Sequence, residues 1–167
     1  MDRDITVIGV VLVLTVLSPF VLHYISGKRK EKRFLGELKA MAGAGKFHLN
    51  HFDSWRNNYA IGLSEETGIL FYVNRLKNLR SLVDLSEVAD CRLSAVNRQV
   101  TGGNSSPVLV GRLDLVISYQ DRNIKETVLE FFDSDEFITP DLELPVIRKW
   151  HELIKSKMSE KRKSVKR

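Results

Sequence analysis

Residues 5–25, ITVIGVVLVLTVLSPFVLHYI, are 21 consecutive residues without Asp, Glu, Lys or Arg. As an α-helix they would rise about 31 Å, matching a bilayer hydrocarbon core of about 30 Å. A surface helix of a globular fold keeps a polar face, and this stretch has none. His23 and Tyr24 end it with rings suited to a membrane interface. Pro19 lies near that end, where a membrane helix tolerates a kink. A cleaved signal peptide starts basic and finishes at a small-residue cleavage site. This chain instead starts Asp2-Arg3-Asp4 and runs directly into Lys28, Arg29, Lys30, Lys32 and Arg33. The expectation is an uncleaved transmembrane anchor with a stop-transfer flank.

The flanking cations also predict the orientation. Five follow the span and one precedes it, and Lys and Arg stay on the cytoplasmic side. Residues 1–4 are expected outside, 5–25 across a cell (inner) membrane as a single pass, and 26–167 in the cytoplasm. The glycosylation triplet Asn104-Ser105-Ser106 then reads as a loop.

The formal net charge of +5 conceals a division. Residues 26–39 carry +4, residues 155–167 carry +6, and the 40–154 stretch between them −4. A nucleic-acid-binding domain concentrates positive charge on a folded face, so this distribution excludes that class. Basic segments beside a bilayer are attracted to anionic lipid. Lys28, Arg29, Lys30, Lys32 and Arg33 are therefore expected at the membrane surface, and the tail after residue 158 either joins them there or frays into solvent. Overall, 43% hydrophobic and 28% charged residues suit a folded domain. The single cysteine, Cys91, forms no internal disulfide and reads as a small strand residue.

Periodicity organises the rest. Phe34, Leu35, Leu38 and Met41 fall on one helical stripe, which would pack on the domain, pair with a second copy or lie on lipid. Gly43-Ala44-Gly45 breaks that helix. The period then changes to two. Tyr59, Ile61 and Leu63 alternate with small residues, residues 64–68 turn, and Ile69, Phe71 and Val73 resume the alternation, which predicts a hairpin over 58–73. Further strands are expected at 47–55, 82–85, 88–93, 113–119 and 125–132, with a loop at 101–107. Val146, Ile147, Trp150, Leu153, Ile154 and Met158 make a broad apolar stripe on a helix over 141–161, and Pro145 is acceptable in its first turn. The fold class is α+β: an N-terminal transmembrane helix, a basic linker at 26–45, then a bent antiparallel sheet or partly open barrel of six or seven strands over 46–158, closed by the helix and followed by a basic tail at 159–167.

The hairpin NYAIGLSEETGILFYV, the segment VDLSEVADCRL and the helix IRKWHELI resemble a pleckstrin-homology-like (PH-like) domain. The resemblance implies a seven-stranded, partly open barrel plugged by the helix, with Ile147, Trp150 and Ile154 as the closing face and the Trp turned inward. Some members bind phosphoinositides through cations at the first hairpin turn. Here that turn is Glu65-Glu66-Thr67-Gly68, so headgroup binding is not carried over.

The candidate chemistry is sparse. His48, His51 and Asp53 lie within six residues; on a helix the two His would share a face for a metal, whereas on a strand their spacing sends them to opposite faces. Gly43-Ala44-Gly45-Lys46 resembles the end of a phosphate loop, but Phe47 replaces the Ser/Thr that holds magnesium. Asp133, Asp135 and Glu136 form an acidic cluster that binds a cation or basic partner, or is simply a solvated turn. Ser105 and Ser106 lack the Gly-x-Ser-x-Gly elbow. No catalytic residue and no cofactor is expected. The expected function is a membrane-anchored binding or scaffold module with a protein partner. The alternatives are a small metal-dependent membrane enzyme using His48, His51 and Asp53, or an accessory subunit of a membrane complex.

Overall fold

The computed structural model describes residues 34, 36, 37, 40, 48–99 and 108–165. The expected span at 5–25, the basic residues 28–33, the Gly43–Lys46 motif and the 101–107 loop lie outside them. No helix among the described residues is long and apolar enough to cross a membrane.

Seven strands and one long helix follow in chain order: β1 (His51–Trp55), β2 (Tyr59–Ser64), β3 (Ile69–Asn74), β4 (Leu79–Asp84), β5 (Val88–Gln99), β6 (Val108–Tyr119), β7 (Thr127–Asp133) and α1 (Glu143–Val165). The class is α+β. The strands make two antiparallel sheets, β1-β2-β3-β4 and β5-β6-β7, rather than one continuous bent sheet, and no closed barrel forms. The hairpin expected at 58–73 is β2–β3, with Tyr59 opposite Asn74 and Ser64 opposite Ile69. β5 and β6 extend well beyond the expected strand limits, to 12 residues each.

One core lies between the sheets and under the helix. Tyr59, Ile61, Leu63, Leu70 and Tyr72 meet Leu115, Ile117, Leu129 and Phe131 there. Helix α1 adds Ile147, Trp150, Ile154 and Met158, the 3–4 spacing of one helical face. The first sheet is also buried on its outer side. Ala60, Phe71 and Val73 pack against Phe34, with Leu49, Phe52 and Ile69 at the margin. Phe34 is 1% exposed, and its residue belongs to a helical stretch. The stripe that includes Phe34 thus meets the domain at that residue; Leu35, Leu38 and Met41 lie outside the described residues.

Two of the three irregularities in the second sheet bear on its packing. Leu113 pairs with Phe132 and Asp114 with Glu130, which leaves Phe131 as an extra residue in β7. Strict alternation would send Phe132 outward; the bulge lets Phe131 and Phe132 both enter the core. β7 is an edge strand, and side chains from the other sheet reach its carbonyls. Trp55 Nε1 donates to the Phe131 carbonyl at 3.0 Å, and the Tyr72 hydroxyl donates to that of Glu130. A second bulge places Gly111 opposite the step between Val96 and Asn97. A Cβ at Gly111 would lie 3.2 Å from the Val96 carbonyl oxygen and 3.1 Å from the Arg98 Cβ, so the close approach favours glycine.

Trp55→Phe keeps the stack on Phe131, whose centroid lies 4.7 Å away, but removes the donor. A buried carbonyl without a partner costs about 1–3 kcal/mol, so urea unfolding of the variant is expected to show a lower midpoint with an unchanged m-value.

Candidate functional site

The seam between helix and sheets is built from paired charges. Asp53 on β1 accepts two hydrogen bonds through one carboxylate oxygen, from Lys149 Nζ at 2.6 Å and Trp150 Nε1 at 2.8 Å. His51, two residues earlier on the same strand face, pairs with Glu65 at 3.0 Å. Glu65 also meets Lys157 of α1 at 2.9 Å. His48 is exposed, outside β1. Of the three candidate metal ligands, then, Asp53 is engaged by the helix and His51 by the β2–β3 turn. Among the described residues no group of three His, Cys, Asp or Glu side chains is placed to hold a metal ion.

The start of the helix is fixed at the opposite end. Glu143 is fully buried and accepts from Arg56 Nε at 2.7 Å, while Arg56 Nη2 donates to the Thr139 carbonyl at 2.8 Å. The Glu143 hydrogen bond, against some desolvation, holds the Arg56 guanidinium above its ordinary pKa. Arg56 takes a φ of 50° and Asn57 one of 56°. The left-handed region is costly for a long side chain, so the ion pair supports a strained hairpin turn.

The acidic cluster expected at 133–136 is larger than its sequence suggests. Glu130 and Asp114, both nearly buried, join it. Lys77, from the β3–β4 turn, reaches Glu130 at 2.7 Å, Asp133 at 3.0 Å and Glu136 at 3.8 Å. Arg112 lies 2.8 Å from Asp114, and Asn74 donates to Glu130 at 3.2 Å. Burial alone would lower the Lys77 ammonium, but its bonds to Glu130 and Asp133 outweigh that and raise it. Burial raises the Asp114 carboxyl against the opposing pull of Arg112. Its five carboxylates are thus only partly offset, by Lys77, by Arg112 and, at Asp135, by Arg98. Lys77 lies more than fifty residues from its partners in sequence, and nothing local in that sequence signals the pairing.

Cys91 faces the core, and burial pushes its thiol up to about 12, the reverse of what a nucleophile needs. The nearby His151 ring nitrogen contacts the Cys91 backbone carbonyl at 3.1 Å.

The feature best suited to recognition is β5. It is an edge of the three-stranded sheet. Helix α1 touches its first residues through His151 at Cys91 and Lys155 at Asp90, 2.7 Å. Farther along, Leu93 and Val96 on β5 and Leu109 on β6 are exposed. Sequence reasoning ended this strand at residue 93 and so missed the exposed portion; the alternation Ala95, Asn97 and Gln99 against Val96 and Arg98 offers only a weak signal.

Arg56→Ala leaves a buried carboxylate without its cation, so a loss of about 3 kcal/mol is expected in denaturant unfolding, with partial recovery on adding Glu143→Gln. Asp133 is held below the ordinary aspartate range by the Asp135 backbone N–H and, against the opposing effect of burial, by Lys77. Its folded pKa lies under its unfolded one, so its contribution is complete above the unfolded value and is lost as pH falls through the folded value. Acid titration of Asp133→Asn is therefore expected to show a shallower loss of stability below about pH 4. No protein-family model matches the chain, and no curated protein or solved structure is significantly similar to it.

Proposed function

We propose that this chain is a single-pass, membrane-tethered PH-like module whose cytoplasmic domain binds an extended segment of a protein partner. The PH-like reading is supported by four-stranded and three-stranded antiparallel sheets in chain order, followed by a C-terminal helix that turns Trp150 into the core. The tether is supported by residues 5–25 and the five cations after them. N-terminus outside and domain in the cytoplasm is the orientation those cations favour.

The observation that carries the binding reading is the distal half of β5. It is a sheet edge bordered by exposed Leu93, Val96 and Leu109. Proteins ordinarily blunt such edges, because unpaired backbone groups recruit another strand. An added strand gains main-chain hydrogen bonds and side-chain contacts on alternate residues, and tethering raises the local concentration enough for a weak interface to serve. The metal-dependent enzyme has less support, since the Asp53 carboxylate is already engaged by Lys149 and Trp150.

The test uses the full chain solubilised from native membranes in mild detergent. Leu93→Lys with Val96→Lys is expected to reduce the recovered partner several-fold. The thermal midpoint should stay within about 3 °C, because both positions are exposed. Unchanged recovery would rule out the β5 edge as the binding surface.

A further inference from the structure

We propose that the end of the domain formed by the β3–β4 turn and the loop before α1 rests on the bilayer surface. The proposal rests on the tether described above and names the face that the tether presents to lipid.

Three observations converge on this end. The first is where the chain enters. Arg75, which begins the turn, stacks on Phe34 with 3.7 Å between guanidinium carbon and ring centroid, and pairs with Glu37 at 3.2 Å. Eight residues, 26–33, lie between the hydrophobic stretch and Phe34, so even fully extended the connection spans only about 30 Å. Through Arg75, the turn touches Phe34, where that connection meets the domain.

The second is exposed apolar surface. Leu76 is 46% and Leu79 41% exposed in the turn region, and Ile138 is 92% and Leu142 55% exposed in the loop. The loop lies beside the turn: Lys77 reaches Glu136, the Asn58 carbonyl accepts from the Arg75 N–H at 2.8 Å, and Arg56 holds the Thr139 carbonyl. Large side chains gathered at one end of a domain mark an interaction surface.

The third is charge. Arg80 has no carboxylate partner among the described residues and flanks a cleft of about 100 Å³ shared with Arg75, Asn78 and Leu79. Lys77 and Arg112 offset two of the four charges on Asp114, Glu130, Asp133 and Glu136, which leaves a negative remainder. Asp141 opposes the contact. Apolar side chains sinking into the headgroup boundary beside cations is the interfacial mode of membrane association.

Helix α1 runs to the other end of the domain. Strands β2 and β3 have six residues each, so their opposite turns are about 20 Å apart. The last turns of α1 reach the far one, where Lys157 meets Glu65.

The experiment places the full chain in phosphatidylcholine vesicles with or without about 30% phosphatidylglycerol, an anionic lipid. An environment-sensitive thiol dye is attached at Leu76→Cys, Ile138→Cys or, as the far-end position, Glu66→Cys; Cys91 is buried. Dye at residues 76 and 138 is expected to shift blue and to be quenched by nitroxide-labelled lipid, more strongly with phosphatidylglycerol, while dye at 66 stays in water. Arg80→Gln is expected to lower the contact in phosphatidylglycerol vesicles about fivefold, the effect of one cation near an anionic surface. Equal quenching at 66 and 76, or none at either while the protein resists an alkaline wash, would overturn the contact and leave the tether standing. Loss of the whole protein in that wash would overturn both.

Discussion

Two sheets without a shared hydrogen-bond ladder must be joined by side chains, and here the junction converges on β7. Its bulge turns two consecutive phenylalanines inward, an arrangement that regular pleating forbids. The carbonyls of Glu130 and Phe131 receive donors from Tyr72 and Trp55 of the opposite sheet. Each such bond contributes about 1 kcal/mol net, whereas an unpaired buried partner costs more. The seam therefore holds as a unit. Helix α1 closes the remaining side through Trp150, which fills the core with its ring and fixes β1 with its N–H.

The same logic extends to the outer face of the first sheet. Ala60, Gly62 and Ser64 alternate with the large core residues of β2, and all are buried. Small side chains let another element approach closely, and Phe34 is seated there. The segment leading from the proposed anchor is thereby attached to the domain, and on the proposed reading the domain is held at a set angle to the bilayer.

Much of this was legible where the information is local. The β2–β3 hairpin shows clean alternation around a glycine turn, and the closing helix shows a wide stripe that includes Ile147, Trp150 and Ile154. Both follow from periods of two and 3.6. The small residues of β2 do not by themselves show what covers them, because a face toward solvent and a face under a packed helix leave the same alternating trace. The bulge at Phe131 was illegible, since it is a mismatch between two strands and exists in neither alone. The pairing of Lys77 with Glu130 and Asp133 was hidden for a related reason: the turn brings them together only once both sheets have assembled. Its neighbours in sequence made Asp53 no more than a candidate metal ligand, while its actual partners come from the helix almost a hundred residues later.

The clasp of Phe34 and Glu37 on Arg75 carries a mechanical consequence. It precedes β1 along the chain, so a tug on the preceding segment loads it before any strand pairing in β1 is strained. A buried ring, its stack on a guanidinium and one partly exposed ion pair are fewer interactions than a strand ladder offers to resist a pull. The domain thus carries a mechanical fuse in series with its own fold.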